Sequence, residues 1–166
     1  MLEQAMAFRV GDHVVHRVYG LGEIIRVDEK VLSGHSGKYY VVQIGDMTLW
    51  VPVNETGEHC LRFPTPAKEL QKLFGLLASP GESLSTDRYL RKTQLTELMK
   101  DGKLESICRV VRDLKHYKRT NKINENDTMI LMRARNLLLN EWIVALSVPI
   151  QQAERELSKL LDPSVV

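Results

Sequence analysis

Redox, metal and disulfide chemistry find little to build on in this chain. It carries only two cysteines, Cys60 and Cys108, in separate regions and without a CxxC or histidine-rich partner pattern, so neither a structural disulfide nor a zinc centre is expected. The five histidines are scattered; His13 and His16, three apart in a strand-like run, face opposite sides and cannot converge on one ion. No run of eighteen apolar residues occurs, and the start "MLEQAMAFRVGDH" lacks a basic leader and an apolar signal core, which leads to the expectation of a cytoplasmic protein with no membrane partner. Phosphate-loop patterns are missing too, "GLGE" being too weak to count. Ser33, His35 and Ser36 sit on a polar turn where such residues are ordinary, and no nucleophile stands beside a base. These absences move the weight from catalysis to binding: no enzyme, no metal and no cofactor is expected.

What is present is an ordinary folding composition, 43% hydrophobic and 27% charged over 166 residues, enough for one domain or two small ones. The formal charge of +2 is unevenly spread. Residues 1–66 hold six Lys/Arg against eight Asp/Glu, whereas residues 86–135 hold thirteen against seven. A basic excess confined to the second half is one that could meet phosphates.

The local pattern changes at the same place. Valine-rich and aromatic runs predict strands over roughly 8–17, 20–30, 37–45 and 47–53, separated by turns at Gly20/Gly22, "SGHSG" and "GDM". A meander this small must curl to bury one face, and a small SH3-like or Tudor-like barrel is expected. From "FPTPAKEL" onward the spacing is helical, with Thr65 as an N-cap and Pro66 in the first turn. Leu70, Leu73, Phe74 and Leu77 mark one helix; Leu90, Leu95, Leu98 and Met99 a second; "KDGK" a turn; Ile107, Val110, Val111 and Leu114 a third. Asn124 with Asp127 predicts a capping box for the long helix "MILMRARNLLLNEWIVAL", whose Trp142, Met129 and Met132 are assigned to packing, and a last helix starts near Pro149. The fold class is therefore α+β: a small twisted β-barrel over residues 1–64, then an all-α bundle over 65–166.

Two surfaces stand out as binding candidates. Alternation in "MTLWVPV" leaves Trp50 outward if Val51 and Val53 face the core, making Thr48, Leu49 and Trp50, with Lys30 nearby, a candidate interface edge; packing of Trp50 over the barrel rim or on the helical half is the alternative. Arg88, Arg91 and Lys92 at one helix start, with Lys115, Lys118, Arg119 and Lys122 at another helix end, could form one basic surface. The alternative is a solvated face with ordinary ion pairs, Arg109 and Arg112 beside Glu105 and Asp113.

In order along the chain, Phe8-Arg9-Val10-Gly11-Asp12, Val14-Val15, Gly20 with Gly22, Val51-Pro52, Val110-Val111-Arg112-Asp113-Leu114 and Ala134-Arg135-Asn136-Leu137-Leu138 resemble the CarD/CdnL family of bacterial transcription regulators. The resemblance implies a Tudor-like RNA-polymerase-interacting domain, similar to one in the transcription-repair coupling factor, that pairs a strand edge with the polymerase β subunit. It implies also a helical domain that touches promoter DNA, mainly its phosphate backbone; separately, a monomer is expected. By position Lys30 falls on a basic polymerase contact, and Trp50 falls where the family often carries arginine. Phosphate contact is implied for Arg88, Arg91, Lys92 and Arg133, beside Lys118 and Arg119. The family typically wedges a tryptophan into DNA just before an "RRY"-like run; here "SLSTDRYLRK" holds Ser85 or Asp87 there, and Tyr89 is the nearby ring. A different class of function, an adaptor whose helical half binds protein and never DNA, is separated from the first by salt-dependent binding to duplex DNA.

Overall fold

The computed structural model describes residues 7–32, 34–53 and 61–162. Ser33 and Cys60, and the side chains of His35 and Ser36, lie outside what it describes. The chain divides into two compact units between Pro64 and Thr65.

The first unit is one antiparallel sheet of β1 (His13–His16), β2 (Gly20–Leu32), β3 (His35–Ile44), β4 (Met47–Pro52) and β5 (Leu61–Arg62), in the order β4-β3-β2-β1-β5. The expected small twisted β-unit forms, as an open sheet rather than a closed ring: among the described residues no ladder joins β4 to β5, so both remain edges. The first strand is also shorter than the expected 8–17. Gly11 takes a positive φ of 94°, and the Asp12 carboxylate accepts from the Arg9 N–H at 2.8 Å, which turns the chain before β1 begins. Phe8, ahead of that turn, packs its ring on Tyr40 and Phe63. With Val14, Ile24, Tyr40, Val42, Val51 and Leu61 it builds the core of this unit.

The "YGLG" motif has a steric cause. Gly20 opens β2 at φ 87°, and a Cβ on Gly22 would lie 2.7 Å from the Gln43 carbonyl oxygen and 2.6 Å from Ile44 Cγ1, so only glycine lets β2 approach β3 there. Just beyond, the register slips by one residue between Ile24 and Arg26. That bulge resets the alternation. Ile24 and Val27 both turn to the core, and Arg26, Asp28 and Lys30 come to share the opposite face.

The second unit holds α1 (Ala67–Ala78), α2 (Arg88–Lys100), α3 (Leu104–Thr120), α4 (Glu125–Leu146) and α5 (Ile150–Leu161). Leu70, Leu77, Leu95, Val111, Leu114, Leu138 and Trp142 are fully buried in one core, with Phe74 stacked on Trp142 at 4.6 Å. The capping box forms: the Asn124 side chain accepts from the Asp127 N–H at 2.8 Å and the Asp127 carboxylate accepts from the Asn124 N–H at 3.0 Å. Arg109 pairs with Glu105, and Arg112 with Asp113.

Three helical expectations are corrected. Thr65 does not cap α1; Pro66 stands at the cap position, and the Thr65 hydroxyl instead donates to the buried Glu141 at 3.1 Å. Leu90 is exposed, because the first turn of α2 turns Arg91 rather than Leu90 inward. Met129 and Met132 are 65% and 59% exposed, so they are not packing residues; α4 keeps a solvent face, and the apolar run concealed its amphipathicity because methionine reads as core. No helix among the described residues is long and apolar enough to cross a membrane.

Candidate functional site

The outer face of the β4 edge carries one organised cluster. Strand pairing sets Arg26 opposite Val41 and Val41 opposite Trp50, a cross-strand row in which Val41 is fully buried between two large side chains. Trp50 is 37% exposed. Its indole N–H donates to Asp28 Oδ2 at 3.4 Å, and the Lys30 ammonium lies 3.9 Å from its ring centroid, a cation–π contact. Arg26 fixes Asp28 in turn, Nε to Oδ2 at 2.9 Å. The hydrogen bond from Arg26 is the main reason the Asp28 carboxyl sits below its ordinary pKa; burial opposes it, and Trp50, the Arg26 charge and Lys30 add to the lowering. The site therefore presents a pre-oriented indole beside a cation, on a strand that among the described residues pairs on one side only.

Its neighbours divide by alternation. The Thr48 hydroxyl donates to Gln43 Oε1 at 2.8 Å, while the Leu49 side chain packs on the core of the unit and brings only its backbone to the edge. The anchors Arg26 and Asp28 escaped the sequence reading. "RVDEK" places 26, 28 and 30 on one strand face, and that spacing was the available signal.

The basic residues do not converge as one surface. Arg91 is the clearest correction: it is 4% exposed, with Nε and Nη2 donating to the two Asp127 oxygens at 2.9 and 2.8 Å. Its Nη1 donates to the Ser85 carbonyl and the Tyr117 hydroxyl, both at 3.1 Å. A guanidinium spent this way has nothing left for a phosphate; it pins the start of α2 to the start of α4. Burial would raise the Asp127 carboxyl, yet the Arg91 bonds and the Asn124 N–H outweigh it and hold it below the ordinary value.

Around that pin Arg88, Tyr89 and Lys92 stay exposed. Asp87 caps α2, accepting from the Tyr89 and Leu90 N–H groups at 2.9 and 3.1 Å, so its negative charge serves the helix start. Tyr89 is 68% exposed, with the Arg88 guanidinium 4.9 Å from its ring. Arg133, Met129 and Met132 are exposed on α4.

Lys118 and Arg119 belong to another feature, a cleft of about 940 Å³ lined by α3, α4 and α5. There Arg119 donates to the Leu161 carbonyl at 2.6 Å. None of Arg88, Tyr89, Lys92 or Arg133 lines this cleft.

Comparison with known proteins covers both units. Residues 8–62 match the family described as CarD-like/TRCF RID domain, and residues 72–158 match CarD, C-terminal domain. A Bacillus subtilis (strain 168) protein named "Putative transcription factor YdeB" is 29% identical over 140 residues, which span 81% of this chain and 89% of that protein. With both family domains matched in order across most of its length, the chain belongs to the CarD family of transcription regulators.

Proposed function

We propose that this regulator attaches to the RNA polymerase β subunit through the β4 edge and contacts promoter DNA, without sequence readout, through its helical unit. Residues 1–64 are then the polymerase-interacting domain and 65–166 the DNA-binding domain of a monomer. The observation that carries the reading is the Trp50–Lys30–Asp28–Arg26 cluster on an edge strand, inside the segment that matches the CarD-like/TRCF RID family. An edge offers backbone pairing and the fixed indole offers apolar area, the two components of strand-addition interfaces. On the helical side, Arg88, Lys92 and Arg133 offer charge to phosphates and Tyr89 an exposed ring, while Lys118 and Arg119 line the α3–α5 cleft instead. No wedge is assigned to Ser85 or Asp87. The Ser85 N–H and carbonyl are held by Gln94 and Arg91, and Asp87 is the cap of α2.

The adaptor reading, in which the helical unit binds protein, draws support from the exposed Tyr89, Leu90, Met129 and Met132. Affinity for duplex DNA as a function of salt separates the two. With Arg88→Ala and Lys92→Ala together, affinity falls about equally on unrelated sequences, and the slope of log affinity against log salt shrinks by roughly 0.9 per lost contact. An unchanged slope assigns this face to a protein partner.

A further inference from the structure

The cleft between α3, α4 and α5 concentrates positive charge beyond what helix ends explain. Lys115, Lys118 and Arg119 enter from α3, Arg135 from α4, and Arg155 and Lys159 from α5, against Glu154 and Asp162 as the acidic lining residues. Cations near helix C-termini are ordinary, since they face the negative end of the helix dipole, and that accounts for Lys118, Arg119 and Lys159. It does not account for Lys115, Arg135 and Arg155, which lie further inside their helices.

Partners are also missing. Arg119 is held by the Leu161 carbonyl and lies 3.9 Å from Asp162. Among the described residues the side chains of Lys115, Lys118, Arg135, Arg155 and Lys159 make no hydrogen bond or ion pair. Lys115, Lys118, Arg119 and Arg135 share one field: burial pushes the Lys115 ammonium pKa down, and Lys118, Arg135 and Arg119 push it the same way. Six cations facing two carboxylates leave a net positive cleft; like charges held together disfavour the folded state, and a bound anion would offset that cost.

The shape narrows the ligand. The volume, about 940 Å³, falls in the range of small-molecule sites, and Leu157 and Leu161 supply an apolar floor. A duplex presents its phosphates on a convex cylinder and meets outward cations such as Arg88 and Lys92, whereas a concave cleft suits a compact anion. We propose that this cleft binds a small multivalent phosphate, either a free oligophosphate or the phosphate chain of a nucleotide, at a site distinct from the α2–α4 face.

Calorimetric titration of the full chain with inorganic tripolyphosphate, ATP and AMP tests this. Tripolyphosphate should bind saturably with a dissociation constant below about 1 mM. Arg135→Gln with Lys159→Gln should weaken it by at least about tenfold, because two charge-assisted contacts are lost. Arg88→Gln with Lys92→Gln should leave it within about twofold. ATP binding more tightly than tripolyphosphate identifies a nucleotide site, and equal affinity identifies a free oligophosphate site. Absence of saturable binding overturns the proposal, as does equal weakening by both variant pairs. It is overturned as well if a short DNA duplex displaces tripolyphosphate and loses its own affinity in the Arg135/Lys159 variant, since the cleft is then part of the nucleic-acid face.

Discussion

Arg91→Met should destabilise the helical unit by about 3–5 kcal/mol, the cost of stripping one partner from a buried ion pair. Asp127 is almost fully buried, so losing Arg91 leaves a carboxylate with only the Asn124 N–H to satisfy it. Its pKa should then rise, because burial is then opposed by the Asn124 N–H alone. The pH dependence follows. In the native chain the depressed Asp127 pKa contributes stability that is fully present above the unfolded carboxylate value near 4, and it is lost as pH falls through the lower folded value. In Arg91→Met that contribution should disappear. Adding Asp127→Leu to Arg91→Met should recover most of the loss except the share of the capping-box bond that Asp127 accepts from the Asn124 N–H, about 1 kcal/mol. Urea unfolding of the two variants at neutral pH measures this; a single-variant loss below about 1 kcal/mol would show the pair to be dispensable.

Trp50→Ala should weaken binding to RNA polymerase by about 2 kcal/mol or more, roughly 30-fold, while leaving the β unit folded. The indole faces outward, and its substitution removes none of the side chains that form the inner core; the folded-state loss is confined to the cover over Val41. Lys30→Glu should act in the same direction, by removing the cation over the ring and placing a carboxylate near Asp28. Titration against purified polymerase, with the thermal midpoint measured alongside, separates interface loss from unfolding. Affinities of both variants within about twofold of the native chain would remove these residues from the interface.

Much of this arrangement was legible in the residues because the signals were local. Alternation in "MTLWVPV" turned Trp50 outward, Asn124 and Asp127 announced the cap of α4, and the buried Trp142 followed from its apolar helix. The failures were non-local. Arg91 reads as one more cation in a basic run until its partner, thirty-six residues away, is known. Asp127 was legible as a cap and illegible as the counter-ion that decides where Arg91 points. The bulge between Ile24 and Arg26 defeated simple alternation, since one extra residue exchanges the two faces of a strand. Met129 and Met132 fit an apolar helix equally well inside or outside. The α3–α5 cleft joins residues from three helices, so only the packing reveals that its cations face one another.

The central claim is a division of labour, polymerase at Trp50 and DNA at Tyr89. A photo-reactive benzoylphenylalanine placed at either position in the full chain, irradiated in a polymerase–promoter complex, tests it directly. The account predicts that the position-50 probe crosslinks to the polymerase β subunit and the position-89 probe to promoter DNA. A position-89 probe that crosslinks only to protein, or a position-50 probe that misses the β subunit, would contradict it.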